Sequence, residues 1–283
     1  MNLFDRLVDE ALKNQPQLSS LRVVVEKELL HHDILRILNQ NQLLTNLTFI
    51  GGTCLRTCYG GIRLSEDLDF TGGNDFSRKS LSTLGKCIIE TLNEKYRLKV
   101  SVSEPEKDIK NVDTWKIKIE TRPKQRHLPA QRINIDICAV SSYEKQPMML
   151  INPYGVDMGT NGLIIQAQSR EEIYTDKLLA FALRPNRIKY RDLWDIVWLH
   201  QQGVKPNFEL IPKKLSDRAL MQEYFSNLFE QRINSLSQDN RLEMAFKKEM
   251  QRFLSLDQIN KTIDQDGLWS FIVFLMKSLA VKL

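Results

Sequence analysis

Cysteine is scarce in this chain, four in 283 residues, and glycine and proline number only 12 and 9. Four cysteines are too few for a disulfide scaffold, and glycine and proline show none of the periodicity a fibrous protein needs. Long hydrophobic runs are missing too. The longest uncharged apolar stretch, residues 267–276, is far short of the ~20 residues a membrane helix requires. The opening residues, Met1-Asn2-Leu3-Phe4-Asp5-Arg6, bring charge at once and lack the apolar core of a secretory signal. Nor does one sign of charge dominate. The 40 Lys and Arg against 35 Asp and Glu leave +5, too even a balance to mark a dedicated polycation. These absences predict a soluble cytoplasmic protein, with no membrane partner, whose Cys54, Cys58, Cys87 and Cys138 stay reduced.

What is present is globular: 42% of residues are hydrophobic, enough for one large core or two smaller ones. Leu3, Leu7, Val8 and Leu12 recur at helical spacing, as do Leu29, Leu30, Ile34, Leu35, Ile37 and Leu38. A short strand at 47–50 runs into Gly51-Gly52, a brief helix at 53–59 closes at Gly60-Gly61, and a strand follows at 64–70. A helix is predicted at 80–94 and strands at 98–103, 115–121, 132–140 and 163–167. In the second of these strands Trp115, Ile117 and Ile119 alternate with Lys116, Lys118 and Glu120, the pattern of a sheet with one wet face. Beyond Ser169 the chain reads as helices only, at 171–183, 191–201, 215–235, 243–254 and 268–281. Ser169 and Glu172 have the spacing of a capping box at the first of them. The expectation is an α+β domain over 1–160 and a mainly helical domain over 161–283.

Chemistry enters at Asp67-Leu68-Asp69-Phe70. Residues two apart on a strand face one side, so Asp67 and Asp69 project together while Leu68 and Phe70 enter the core. Adjacent carboxylates repel unless a cation lies between them, and hard divalent ions, Mg²⁺ above all, meet that need. In Ile133-Asn134-Ile135-Asp136-Ile137 the isoleucines alternate. That leaves Asp136 on the polar face, able to add a third carboxylate if its strand neighbours the first. Gly51-Gly52 lets backbone approach an anion at a helix N-terminus, the geometry of a phosphate turn. Three metal-binding carboxylates (Asp67, Asp69, Asp136) beside such a turn describe phosphoryl transfer supported by metal ions.

These residues resemble the nucleotidyltransferase pattern of the polymerase-β-like superfamily, with a slightly longer gap between Gly52 and Asp67. The fuller string is narrower: Gly51-Gly52-Thr53-x-Leu55-Arg56, Tyr59-Gly60, Arg63-x-Ser65-Glu66-Asp67-Leu68-Asp69-Phe70. It is similar to the AbiEii/AbiGii toxins of type IV toxin–antitoxin systems, which include the MenT toxins. A second block, Glu171-Glu172-Ile173, Lys177, Ala180, Arg184 and Arg191-Asp192-Leu193-x-Asp195-Ile196, is similar to that family's helical motifs. The resemblance spans residues 26–199. It implies a polymerase-β-like core with a mixed sheet, flanked by N-terminal helices and followed by a helical domain that contributes to the site.

By that resemblance Asp67, Asp69, Lys177, Asp192 and Asp195 are the catalytic candidates, and Gly51, Gly52, Thr53, Arg56, Arg63 and Ser65 the nucleotide-binding ones. Lys177 would neutralise triphosphate charge, or be an ordinary solvent-facing helix lysine. One of Asp192 and Asp195 would position it or act as general base. Ser65 either meets phosphate or ends a turn, and Arg56 and Arg63 reach the nucleotide or pair with Glu66. Cys54 and Cys58, His31 and His32, and Trp194 and Trp198 read as packing residues. The implied activity is Mg²⁺-dependent transfer of NMP from an NTP to an acceptor hydroxyl, that of the tRNA 3′ end in MenT-like relatives, with a DNA-binding repressor as antitoxin partner. Transfer to a small molecule or a protein, and nucleotide binding without turnover, are the other readings. Basic runs at 116–132 and 184–191 would suit an RNA backbone, and are also what a solvated face looks like.

Overall fold

The computed structural model describes residues 2–105, 112–122, 129–185 and 187–283. The chain divides into two compact units, Met1–Gln168 and Ser169–Leu283. Among the described residues no helix is long and apolar enough to cross a membrane.

The first unit opens with α1 (Leu3–Asn14), capped by the Asn2 side chain, then a 3-10 turn and α2 (Arg22–Gln40). β1 (Thr48–Ile50) leads directly into α3 (Gly51–Tyr59), and β2 (Leu68–Thr71) follows. After α4 (Leu84–Tyr96) come β3 (Val100–Ser103), β4 (Val112–Ile119), β5 (Gln131–Cys138), β6 (Lys145–Met149) and β7 (Ile164–Gln168). They form one mixed sheet in the order β3-β4-β5-β2-β1-β7-β6. β2 runs parallel to β5 and β1 parallel to β7, while the remaining pairs are antiparallel. The α+β expectation is met.

Alternation fixes which face each side chain takes. Ile133, Ile135 and Ile137 on β5 and Trp115, Ile117 and Ile119 on β4 are at most 1% exposed. A one-residue slip of β5 would move all three isoleucines to the wet face, at roughly 1.5–3 kcal/mol each. Packing on the dry face therefore locks the register of Asp136 on the other.

Beyond shifts of a few residues at element ends, three features differ from the sequence reading. β2 begins at Leu68, so residues 64–67 approach the sheet without entering it. β6 gave no alternating signal, being an edge strand with Pro147 at its centre, where a missing N–H is tolerated. The single helix read over 215–235 is two. α7 (Leu210–Ser216) stops before Ala219, which takes a left-handed φ of 52°, and α8 (Gln222–Gln238) starts afresh.

The second unit is helical: α5 (Arg170–Leu183), α6 (Tyr190–Gln201), α7, α8, α9 (Asn240–Met250) and α10 (Leu268–Ala280). Its core joins Tyr174, Leu178 and Phe181 to Leu193, Ile196, Phe225, Phe229 and Met276, all buried. Trp194 and Trp198 are buried with them, and Cys54 and Cys58 lie inside the first unit. His31 and His32 are buried too. His31 Nε2 meets the Glu66 carbonyl and His32 Nδ1 the Thr160 hydroxyl.

Candidate active site

β1 ends in extended backbone at Ile50, and Gly51 turns the chain into α3 with φ of 76°, a conformation side chains disfavour. Ile50 pairs with Asp69 across the ladder, which sets the Asp69 carboxylate over this turn. A Cβ on Gly51 would stand 2.8 Å from Asp69 Oδ2, and one on Gly52 would strike the Arg63 guanidinium. The carboxylate and the turn fit each other because no side chain lies between them. Behind the turn, the Thr53 and Ser65 hydroxyls are hydrogen-bonded at 2.7 Å, and the Thr53 hydroxyl also donates to the Asp67 carbonyl. Thr53 thus ties the start of α3 to the segment that delivers Asp67.

Asp69 and Asp136 share the wet face of the sheet. They are direct partners in the parallel β2–β5 ladder, so the strand of residues 133–137 does neighbour the first, the condition on which the third carboxylate depended. Asp67 precedes the strand, yet its Oδ1 accepts the Asn134 N–H at 3.0 Å, which holds it beside β5 two residues from Asp136. Asp136 Oδ1 accepts the Thr114 hydroxyl at 2.6 Å. Asn134 and Thr114 escaped the sequence reading. Alternation around Trp115 puts Thr114 on the polar face, the signal that could have found it, whereas Asn134 acts through its backbone N–H, which no side-chain pattern marks.

Hard carboxylate oxygens on neighbouring strands are the donor chemistry a divalent cation takes, so the three aspartates fit such an ion in kind. They are not gathered as a chelate. Among the described residues no group of three or more His, Cys, Asp or Glu stands in metal-holding geometry.

Glu28 on α2 organises the approach segment. It is buried, and its Oε1 accepts the Ser65 N–H at 2.8 Å while its Oε2 pairs with Arg56 Nε at 3.1 Å. The Tyr154 hydroxyl donates to the same carboxylate, and burial beside Glu28 pushes the Tyr154 phenol well up. Arg56 also donates to the Gly61 carbonyl at 2.9 Å. Arg56 does not take the pairing with Glu66 that the sequence suggested: its salt bridge goes to Glu28, and Glu66 pairs with Lys27 at 2.8 Å. Arg63 is buried and donates to the Leu64 carbonyl at 3.1 Å. Glu28 was missed because nearly every face of α2 is buried, so no spacing distinguishes it.

The remaining candidates lie in the second unit. Lys177 on α5 is buried, not solvent-facing, with Nζ 2.6 Å from Asp192 Oδ1 and 2.9 Å from Asp195 Oδ2 on α6. Both aspartates share the helix face expected of a three-residue spacing. Burial works to raise the Asp192 carboxyl, but Lys177, Lys189 and Arg184 together hold it below the usual carboxylate range. Ser169 caps α5 by accepting the Glu172 N–H, while the Glu172 carboxylate pairs with buried Lys214 at 2.6 Å.

The basic run at 116–132 is only partly described, since Lys124, Arg126 and His127 lie outside the described residues. Lys116, Lys118 and Arg132 are exposed, and Arg122 is drawn into a pair with buried Glu26. In the second run Arg184 pairs with Asp192 at 3.1 Å and Arg191 with Glu249 at 3.3 Å.

A family model described as nucleotidyl transferase AbiEii toxin, type IV TA system, matches residues 33–268. No curated protein matches the chain. Among solved structures, the chain is similar to JHP933 from Helicobacter pylori, at 17% identity and a TM-score of 0.49, covering 92% of each chain. It is also similar to a protein from H. pylori solved as a candidate nucleotidyltransferase, at 18% identity and a TM-score of 0.46, covering 90% of this chain and 96% of that one.

Proposed function

Since this chain belongs to the AbiEii nucleotidyltransferase toxin family of type IV toxin–antitoxin systems, we propose that it transfers NMP from an NTP to the 3′-terminal hydroxyl of tRNA in the cytoplasm. Membership carries the enzyme class, the nucleotide substrate and the existence of an antitoxin partner. The proposal adds tRNA as acceptor, Mg²⁺ as the ion and a DNA-binding repressor as the antitoxin.

The observation that carries the reading is the ladder pair Asp69–Asp136, with Asp67 beside it and the Gly51 turn against the Asp69 carboxylate. In the reaction an acceptor hydroxyl loses its proton to solvent as its oxygen attacks the α-phosphorus. The new P–O bond forms as the α–β bridging bond breaks, and pyrophosphate leaves. Asp67, Asp69 and Asp136 would hold Mg²⁺, which would supply charge that favours the acceptor alkoxide and offsets the triphosphate. The turn at Gly51-Gly52-Thr53 presents backbone at a helix N-terminus, where a phosphate is favoured, with Ser65, Arg56 and Arg63 bordering it. Lys177 is the ammonium assigned to the triphosphate charge, and its two ion pairs support Asp192 and Asp195 as the groups that orient it.

A nucleic-acid acceptor is supported by the sheet itself. Thr114 pairs with Asp136, Lys116 with Asn134 and Lys118 with Arg132, so three exposed cations continue the face that bears the aspartates. Like charges directly opposite each other cost stability, and a phosphate backbone laid across them offsets that cost.

The test is incubation of the protein with each α-labelled NTP, Mg²⁺ and total tRNA, beside Asp67→Ala. Label running with tRNA on a denaturing gel, absent from the variant, is the expected result. Wild-type labelling no stronger than that of Asp67→Ala refutes transfer to tRNA.

A further inference from the structure

The second unit contains a cavity of about 580 Å³ around the N-terminus of α6. Five cations line it: Arg187, Lys189 and Arg191 from the start of α6, Arg232 from α8 and Arg252 beyond α9. Two acids, Asp239 and Glu249, face the same space, and both are engaged. Asp239 caps α9 by accepting the Arg241 N–H and pairs with the Arg241 side chain at 2.8 Å. Glu249 pairs with Arg191 at 3.3 Å.

Three features mark this cavity as built for an anion. The cations stand at the wrong end of a helix for stability. α6 has twelve residues, and Lys189 is its N-cap with no side-chain cap bond. Its N-terminal dipole is positive and disfavours Lys189 and Arg191 by a few tenths to ~1 kcal/mol each. An anion there reverses the sign of both effects, since it meets the positive end of the helix and the cations together. Next, the guanidinium groups are held in place. Arg191 lies 4.5 Å and Arg252 5.5 Å from the centroid of the same Phe253 ring, and Arg232 donates to the Arg184 carbonyl at 2.7 Å. Planar forks fixed in this way lose little entropy on meeting phosphate oxygens. Finally, the cations arrive from three separate elements and converge on one concavity, whereas charges on a solvated face diverge.

We propose that this cavity is a phosphate-binding site distinct from the carboxylate face, taking either the backbone of a nucleic acid or the phosphates of a free nucleotide. It does not depend on the transfer reaction, and its test measures binding alone.

The experiment uses full-length Asp69→Ala protein in EDTA, so that phosphate held through metal at the carboxylates does not contribute. Two probes are titrated: a fluorescein-labelled 12-nucleotide single-stranded RNA by anisotropy, and inorganic tripolyphosphate by calorimetry. Each is repeated with Arg187→Glu and Lys189→Glu added singly and together, and with exposed Lys261→Glu as the control. Arg187 is exposed, so its substitution leaves the core intact, and thermal melting checks each variant. For a backbone ligand, the double substitution weakens RNA at least about tenfold. It also flattens the logarithmic salt slope by roughly 1.4, at about 0.7 for each single-strand phosphate that is no longer neutralised. For a free nucleotide, tripolyphosphate binding falls by a similar factor and RNA binding does not. Either result supports the site and names its ligand. If both probes bind the folded double variant as they bind the Lys261→Glu control, the proposal is overturned. Failure of tRNA labelling by wild-type protein would leave this result standing.

Discussion

Replacing Gly51 with alanine tests the geometry on which the active-site reading rests. The substitution does two separable things. Its left-handed backbone, φ 76°, costs an alanine roughly 1–2 kcal/mol. For a unit of this size that lowers the melting temperature by roughly 2–8 °C. The new Cβ also stands 2.8 Å from Asp69 Oδ2, against 3.4 Å where ordinary contact begins, so the carboxylate must retreat by about 0.6 Å. Misplacing a reacting group by ~1 Å costs on the order of a hundredfold, so kcat/KM should fall roughly 10- to 100-fold. Gly60 supplies the control. Its φ of 73° carries the same backbone strain, but a Cβ there meets nothing within 4 Å. Both variants should melt at similarly reduced temperatures, while only Gly51→Ala is impaired in NMP transfer. The assay is steady-state transfer from α-labelled NTP beside calorimetric melting of both proteins. If Gly51→Ala keeps kcat/KM within about threefold of Gly60→Ala, the Asp69 carboxylate is not the group this turn positions for reaction.

Two further perturbations have signs fixed by burial. Lys177→Met leaves Asp192 and Asp195 buried without the ammonium both contact, which should cost about 3–5 kcal/mol in denaturant unfolding. Adding Asp192→Asn and Asp195→Asn should restore most of that stability but no transfer, and transfer by the triple variant would remove Lys177 from the reaction. The pH dependence of stability should carry the signature of His32, whose pKa burial lowers from 6.5 to about 4. Between those values the unfolded chain binds a proton that the folded chain refuses, so stability is complete above pH 6.5 and falls as pH drops toward 4. That lowering corresponds to about 3 kcal/mol, and His32→Gln should flatten the slope in urea titrations across this window. An unchanged slope would mean that His32 takes up its proton in the folded state.

Most of the site was legible because it is written in short-range patterns. A two-residue period set Asp136 among alternating isoleucines and predicted Asp67 beside Asp69, although Asp67 precedes β2 and is held by the Asn134 N–H instead. What the period could not say is which strands are neighbours. The Asp69–Asp136 pair depends on β5 lying beside β2, although more than sixty residues of chain separate them, so the sequence reading could only make the third carboxylate conditional. Glu28 marks another limit. It sits on a helix buried on nearly all faces, and its role comes from meeting Ser65 and Arg56, both distant in sequence. Lys177 illustrates a third. Composition treats a helix lysine as solvated, and only the packing of α5 on α6 turns it into the centre of a buried pair of ion pairs. The broken helix near Ala219 and the edge strand at Pro147 were missed for a simpler reason: neither carries the periodicity that marks an element.

The near-neutral charge of the chain also acquires a different meaning. A net +5 suggests a protein indifferent to polyanions, and a dispersed arrangement of these side chains would make it one. The sheet instead segregates them. Packing of Ile133, Ile135 and Ile137 holds β5 in register, and that register sets Asp136 beside Asp69 and Arg132 opposite Lys118 on the same wet face. Neither like-charged pair can separate without moving isoleucines out of the core, at several kcal/mol for each strand displaced. Under the proposed function, ligands of the opposite sign relieve this repulsion, a cation at the aspartates and phosphates along the lysines and arginine. The dry face of the sheet thus does more than stabilise the first unit. By fixing the register, it holds like charges side by side on the wet face, Asp136 with Asp69 and Arg132 with Lys118.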